Sequence, residues 1–202
     1  MTPSSTSGWL KALPNLITVS RCIIGVLGAW LLVKASQSTM ESQAVVLAVS
    51  SGALFVISAL SDFIDGWLAR AIGAVSALGA LLDPIADKVL VGSYLIAFVL
   101  ISRFDPFLTP AVVIIVGRDV LVTALRLSRL NSREVPLPVT DEAKFKTGLH
   151  MVLIALPFLL VLTGLRDVEG WFYYWVGGVW LAALLSAWTA MPYLRKAFSG
   201  HR

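Results

Sequence analysis

Six stretches, at about 14 to 35, 44 to 65, 76 to 101, 107 to 127, 147 to 165 and 171 to 192, are almost wholly apolar, and each is long enough to cross a bilayer. Hydrocarbon offers no water to bond backbone N–H and C=O groups, so only helices or closed barrels span it. Continuous apolar runs of this length, with no alternation between faces, predict helices. The expected fold is therefore an all-α integral membrane protein with six transmembrane helices. A hydrophobic content of 57%, only 14% charged residues and a mean hydropathy of +0.83 exclude an ordinary soluble domain. The net charge of +4 comes without a basic run, which points to anionic lipid and to basic residues on the inner membrane face rather than to nucleic acid. One cysteine, Cys22, excludes an intrachain disulfide and a thiolate metal cluster.

Residues 1 to 13 are polar and then weakly amphipathic. They lack the basic start and cleavage site of a signal peptide, and Trp9, Leu10 and Leu13 suggest a short interfacial helix ahead of the first span. No linker separates domains, so one membrane domain is expected over 1 to 202, with the bundle at 14 to 192 and a cytoplasmic tail at 193 to 202. An N-terminus placed inside leaves only Lys34, Arg103 and Arg166, of sixteen basic residues, on or near the outer side. Both termini are then cytoplasmic, and a bacterial plasma membrane is the expected location.

The stretch from Asp62 to Asp87, DFIDGWLARAIGAVSALGALLDPIAD, places four of the chain's twelve acidic residues in apolar sequence. Asp62 and Asp65 are three apart, Asp83 and Asp87 four apart, so each pair projects from one helix face. A turn near Gly73 would bring Asp62 and Asp83 to nearly the same depth, with all four carboxylates facing one another on the cytoplasmic side. Four anions share a low-dielectric space only if protonated or held by cations. An oxygen-only ligand set suits magnesium, manganese or calcium better than zinc. Gly66, Ala69 and Gly79 leave the backbone open beside these acids, which suits a phosphate or nucleotide.

Asp62, Asp65, Gly66, Ala69, Arg70, Gly79, Asp83 and Asp87 fill every fixed position of D-x2-D-G-x2-A-R-x8-G-x3-D-x3-D, and on these residues the chain resembles the CDP-alcohol phosphotransferase family. The resemblance implies a divalent-metal enzyme, with two Mg2+ or Mn2+ ions, in which Asp62, Asp65 and Asp83 are metal ligands. Asp87 would touch metal and act as the catalytic base that activates the acceptor hydroxyl. Gly66, Ala69 and Arg70 would line the cytidine and diphosphate end of the donor, and the implied donor is CDP-diacylglycerol. The opening of the first helix, PNLITVSR, also matches a family element near the nucleotide, so Asn15 and Thr18 are expected at the donor. Arg21 is costly that far into an apolar run unless it meets an anion; snorkelling to the interface is the alternative.

Helices 4 and 5 bear on the acceptor. Arg118 and Asp119 follow a dozen almost purely apolar residues, Arg126 comes two turns after Arg118, and Lys144 and Lys146 precede the fifth apolar run. Arg118, Arg126, Lys144 and Lys146 are expected to form a basic pocket for an acceptor phosphate. The plainer readings are an Arg118–Asp119 ion pair and ordinary inner-face lysines. His150 has no acid near it in sequence and is expected to be a satisfied polar side chain near the interface. Among the branches of the family, the chain is similar to the one whose acceptor is sn-glycerol 3-phosphate and whose products are phosphatidylglycerophosphate and CMP. Arg118, Asp119 and Arg126 match its R-D/E-x6-R element, and Lys144, Lys146, Thr147 and Met151 its G-K-x-K-T-x2-Q-M element. Ala143 and His150 stand where that branch has glycine and glutamine. The alternatives are the cardiolipin-forming branch, with phosphatidylglycerol as acceptor, and the inositol-phosphate branch. From a different class comes an ion or proton transporter, whose acids would sit near the midplane with access from both sides. The family also implies a homodimer among the surrounding membrane lipids.

Overall fold

The computed structural model describes the backbone of residues 8–71, 77–129, 141–165 and 168–199, and side chains over 16–61, 84–125, 146–165 and 168–191. Six helices follow one another: α1 (Gly8–Gln37), α2 (Glu41–Ala71), α3 (Ala77–Ile101), α4 (Leu108–Arg129), α5 (Asp141–Thr163) and α6 (Trp171–Ser199). No strand occurs among the described residues. Each helix contains a segment long and apolar enough to cross a membrane. The exposed surface agrees, since Leu16, Ile23, Trp30, Val46, Val113, Leu162 and Leu181 are large apolar side chains turned outward. The expected separate N-terminal helix is not confirmed: residues 8 to 13 form the first turns of α1 without a break.

The chain divides into two compact units, with the boundary inside α3 between Ala97 and Phe98. In the first unit α1, α2 and α3 meet through small residues. A side chain at Gly25 would press on Leu90, and one at Gly28 would collide with Tyr94 Oη, so α1 approaches α3 at backbone distance. Hydrogen bonds lock the same level. Tyr94 Oη donates to Ser51 O at 2.7 Å, Ser51 Oγ donates to Gly28 O at 2.7 Å, and the Phe55 and Tyr94 rings stand edge to face at 5.1 Å. One tie thus joins three helices, and each bond satisfies a group that hydrocarbon would penalise.

In the second unit α6 packs on α4 and α5. Trp175 lies between Phe98 and Phe172, with ring centroids at 5.1 and 5.9 Å, and its Nε1 donates to Leu153 O at 2.8 Å. The turn from α3 to α4 uses left-handed backbone at Arg103 and Phe104 (φ 55° and 60°). Asp105 then caps α4, its Oδ1 accepting from Phe107 N and Leu108 N at 2.9 Å each.

Candidate active site

In the first unit the inward stripes of the three helices change character along their length. On α1 the stripe runs Thr18, Arg21, Gly25, Gly28, Leu32; on α2, Ser51, Phe55, Ser58; on α3, Asp87, Leu90, Tyr94. Steps of three and four keep each series on one face. The apolar end is the tight three-helix tie. The other end is polar: Thr18 and Arg21 are each only 2% exposed, Ser58 Oγ is buried with no hydrogen-bond partner, and Asp87 is half-buried. Burial of Arg21 excludes the snorkelling alternative.

Register follows from the contacts. Gly25 meets Leu90 and Gly28 meets Tyr94, so α1 and α3 run parallel there, and one turn back Arg21 stands level with Ala86 and Asp87. Ser51 bonds Gly28 across antiparallel α1 and α2, and two turns on Ser58 is level with Arg21. From the Ser51–Tyr94 contact, eleven residues along α2 reach position 62 and eleven back along α3 reach position 83. Eleven residues are about three turns and about 16 Å on each helix. Counted along the backbone, positions 62 and 83 are equally far from that contact on α2 and α3, with 65 about one turn further out and 87 about one turn nearer. The expected helical placement of both aspartate pairs is met by the backbone: Asp62 and Asp65 belong to α2, Asp83 and Asp87 to α3.

The side chains of Asn15, Asp62, Asp65, Gly66, Ala69, Arg70, Gly79 and Asp83 lie outside the described residues, as does the turn at Gly73. Among the described residues no group of three or more His, Cys, Asp or Glu is gathered as in a metal site. The donor set still fits a hard divalent cation. Asp62, Asp65, Asp83 and Asp87 offer oxygen alone, and no His or Cys lies in the sequence between positions 62 and 87.

The second unit buries a charged network. Arg118 donates from Nη1 to Asp119 Oδ1 at 2.9 Å, from Nε to Ser186 O at 3.1 Å and from Nη2 to Thr189 Oγ1 at 3.1 Å. Lys146 Nζ bonds the same Asp119 Oδ1 at 2.5 Å. The ion pair expected as the plainer reading of Arg118 and Asp119 is thus present, extended by a lysine from α5. Among the described residues this network sets two cations against one carboxylate, and Arg118 uses three of its five N–H groups in the bonds above. Arg126 and Lys144 sit on α4 and α5, with side chains outside the described residues. His150 departs from expectation: it is buried one turn after Lys146, with Nε2 unpartnered. Sequence reading also passed over Ser58, Ser186 and Thr189. Only their occurrence as polar residues inside apolar runs marked them.

Together these features define a multi-pass helical membrane protein with charged groups built into its spanning helices. The chain belongs to the CDP-alcohol phosphatidyltransferase family, whose model matches residues 11–188. Members of that family use divalent metal ions. Several relatives carry the name CDP-diacylglycerol--glycerol-3-phosphate 3-phosphatidyltransferase, among them the following three. The one from Cereibacter sphaeroides is 36% identical, covering 71% of this chain and 79% of its own. The one from Rickettsia typhi is 32% identical, covering 92% and 97%. The one from Bacillus subtilis is 34% identical, covering 79% and 86%.

Proposed function

We propose that this protein transfers the phosphatidyl group of CDP-diacylglycerol to the 1-hydroxyl of sn-glycerol 3-phosphate, giving phosphatidylglycerophosphate and CMP in anionic phospholipid synthesis. The observation that carries the reading is the eight-residue motif borne by α2 and α3, in a chain whose relatives are named for this reaction. Asp62, Asp65, Asp83 and Asp87 would hold two divalent cations, magnesium or manganese, which supply charge neutralisation for the donor diphosphate and the departing CMP.

The residues of the chain do the rest. Asp87 accepts the proton of the acceptor hydroxyl as its oxygen forms a bond to the phosphatidyl phosphorus, and the bond from that phosphorus to the CMP oxygen breaks. Asn15, Thr18, Gly66, Ala69, Arg70 and Gly79 line the nucleotide end of the donor. Arg21, level with Asp87 and shielded from water, adds positive charge where the leaving phosphate gathers negative charge. Arg118, Arg126, Lys144 and Lys146 take the acceptor phosphate through charge-assisted hydrogen bonds.

In this reading the chain is one catalytic domain. It works as a homodimer in a bacterial plasma membrane, with its termini and carboxylates facing the cytoplasm, where both soluble substrate and CMP are found. Asp87→Asn tests the assignment of the base. Turnover should fall by about 10²- to 10⁴-fold while CDP-diacylglycerol still binds. Full activity in that variant would remove the assignment.

A further inference from the structure

The buried network of α4, α5 and α6 contains two hydrogen-bonding groups that the fold leaves unused. His150 is 3% exposed and its Nε2 has no partner; Ser186 is 0% exposed and its Oγ has none. Both flank the same ions. His150 lies one turn after Lys146 on α5, and Ser186 gives its carbonyl to Arg118 Nε at 3.1 Å. Thr109 Oγ1 on α4 is also buried without a partner, whereas Thr123 and Thr163 each bond a carbonyl of the preceding turn, Asp119 O and Leu159 O, at 2.7 and 2.8 Å. Ser186 does not.

An imidazole nitrogen and a hydroxyl left unpaired in a low-dielectric interior destabilise the fold, whereas leucine and alanine would fill the same places without that penalty. Their surroundings select a ligand. Among the described residues the cluster holds two cations, Arg118 and Lys146, beside one carboxylate, Asp119, and His150 and Ser186 add neutral hydrogen-bonding groups. A guanidinium and an ammonium with an imidazole and a hydroxyl beside them match the oxygens of a phosphate monoester.

We propose that His150 is a specificity residue for the phosphate-bearing acceptor, its Nε2–H donating to a phosphate-monoester oxygen held by Arg118 and Lys146, with Ser186 Oγ as a second neutral contact. The identity of that acceptor as sn-glycerol 3-phosphate rests on the function proposed above. Glutamine at 150 keeps a side-chain N–H; leucine offers none.

The test uses the full chain in lipid nanodiscs. It measures thermal stabilisation by sn-glycerol 3-phosphate, by inorganic phosphate and by glycerol, alongside the KM of each substrate for CMP release. The wild type should be stabilised by glycerol 3-phosphate and not by glycerol. His150→Leu should melt at or above the wild-type temperature in the absence of ligand, yet bind glycerol 3-phosphate about 10- to 100-fold more weakly. Its KM for CDP-diacylglycerol should stay within about twofold, and His150→Gln should recover acceptor affinity to within about threefold. Ser186→Ala should weaken acceptor binding by about fivefold.

Wild-type affinity in His150→Leu, equal loss in the leucine and glutamine variants, or a parallel rise in both KM values would overturn the proposal. So would a wild type that glycerol 3-phosphate fails to stabilise. If leucine does not fold, His150→Phe carries the same expectation. A wild type that binds glycerol 3-phosphate but releases no CMP refutes the reaction and leaves the contact standing. One that releases CMP while the leucine variant keeps its affinity refutes the contact alone.

Discussion

Gly28→Ala should loosen the joint on which the register of the aspartate helices depends. A Cβ there would collide with Tyr94 Oη and stand 3.1 Å from Tyr94 Cζ and 3.3 Å from Leu54 Cβ. The ring has little room to yield, because Tyr94 is fully buried, packs on Phe55 and donates to Ser51 O. Forcing a methyl into such a core costs about 1–3 kcal/mol. Losing the tyrosine hydrogen bond adds about 1 kcal/mol. The better helix propensity of alanine returns about 1 kcal/mol, so the net loss is about 1–3 kcal/mol. Tyr94→Phe, which removes only the hydroxyl, should cost about 1 kcal/mol and should relieve part of the Gly28→Ala penalty when the two are combined. Denaturant unfolding in micelles, followed by tryptophan fluorescence, measures all three. CMP release should fall further in Gly28→Ala than in Tyr94→Phe, since only the former shifts α1 against α3. A Gly28→Ala protein within about 0.5 kcal/mol of wild type, or a double variant whose loss is simply additive, would refute the close three-helix tie.

Two further outcomes follow from the second unit. Asp119→Ala should destabilise the fold by about 3–5 kcal/mol in the same unfolding assay, because it leaves Lys146 and Arg118 buried without their shared carboxylate. Arg118→Ala should raise the KM for glycerol 3-phosphate at least tenfold more than that for CDP-diacylglycerol, as expected for a lost charge-assisted contact to the acceptor. Equal effects on the two substrates would make Arg118 a packing element only.

Much of the fold was legible because lipid imposes a crude rule: every described helix contains one of the six apolar runs. Helix ends were less legible. Hydropathy falls off at Asp65, yet α2 continues to Ala71, and α5 begins at Asp141, before the apolar run starts. Backbone bonding continues past the hydrocarbon boundary, and Asp141 at the start of α5 suits the positive end of a helix dipole. That Asp62, Asp65, Asp83 and Asp87 stand on helices was legible from their spacing because helical periodicity is local. The Gly28–Ser51–Tyr94 tie was not, since it joins residues far apart in sequence and its members are ordinary in a membrane helix. For the same reason sequence assigned His150 a satisfied environment: its neighbours along α5 gave no hint that Nε2 would be enclosed without a partner.

The most direct test is CMP release by the purified full-length protein from CDP-diacylglycerol with magnesium or manganese. Glycerol 3-phosphate, inositol 1-phosphate, phosphatidylglycerol and no acceptor are compared side by side. Metal-dependent release only with glycerol 3-phosphate is the predicted result. Release driven by another acceptor would contradict the acceptor assignment of Arg118, Arg126, Lys144 and Lys146, and no release from folded protein would contradict the phosphatidyl transfer itself.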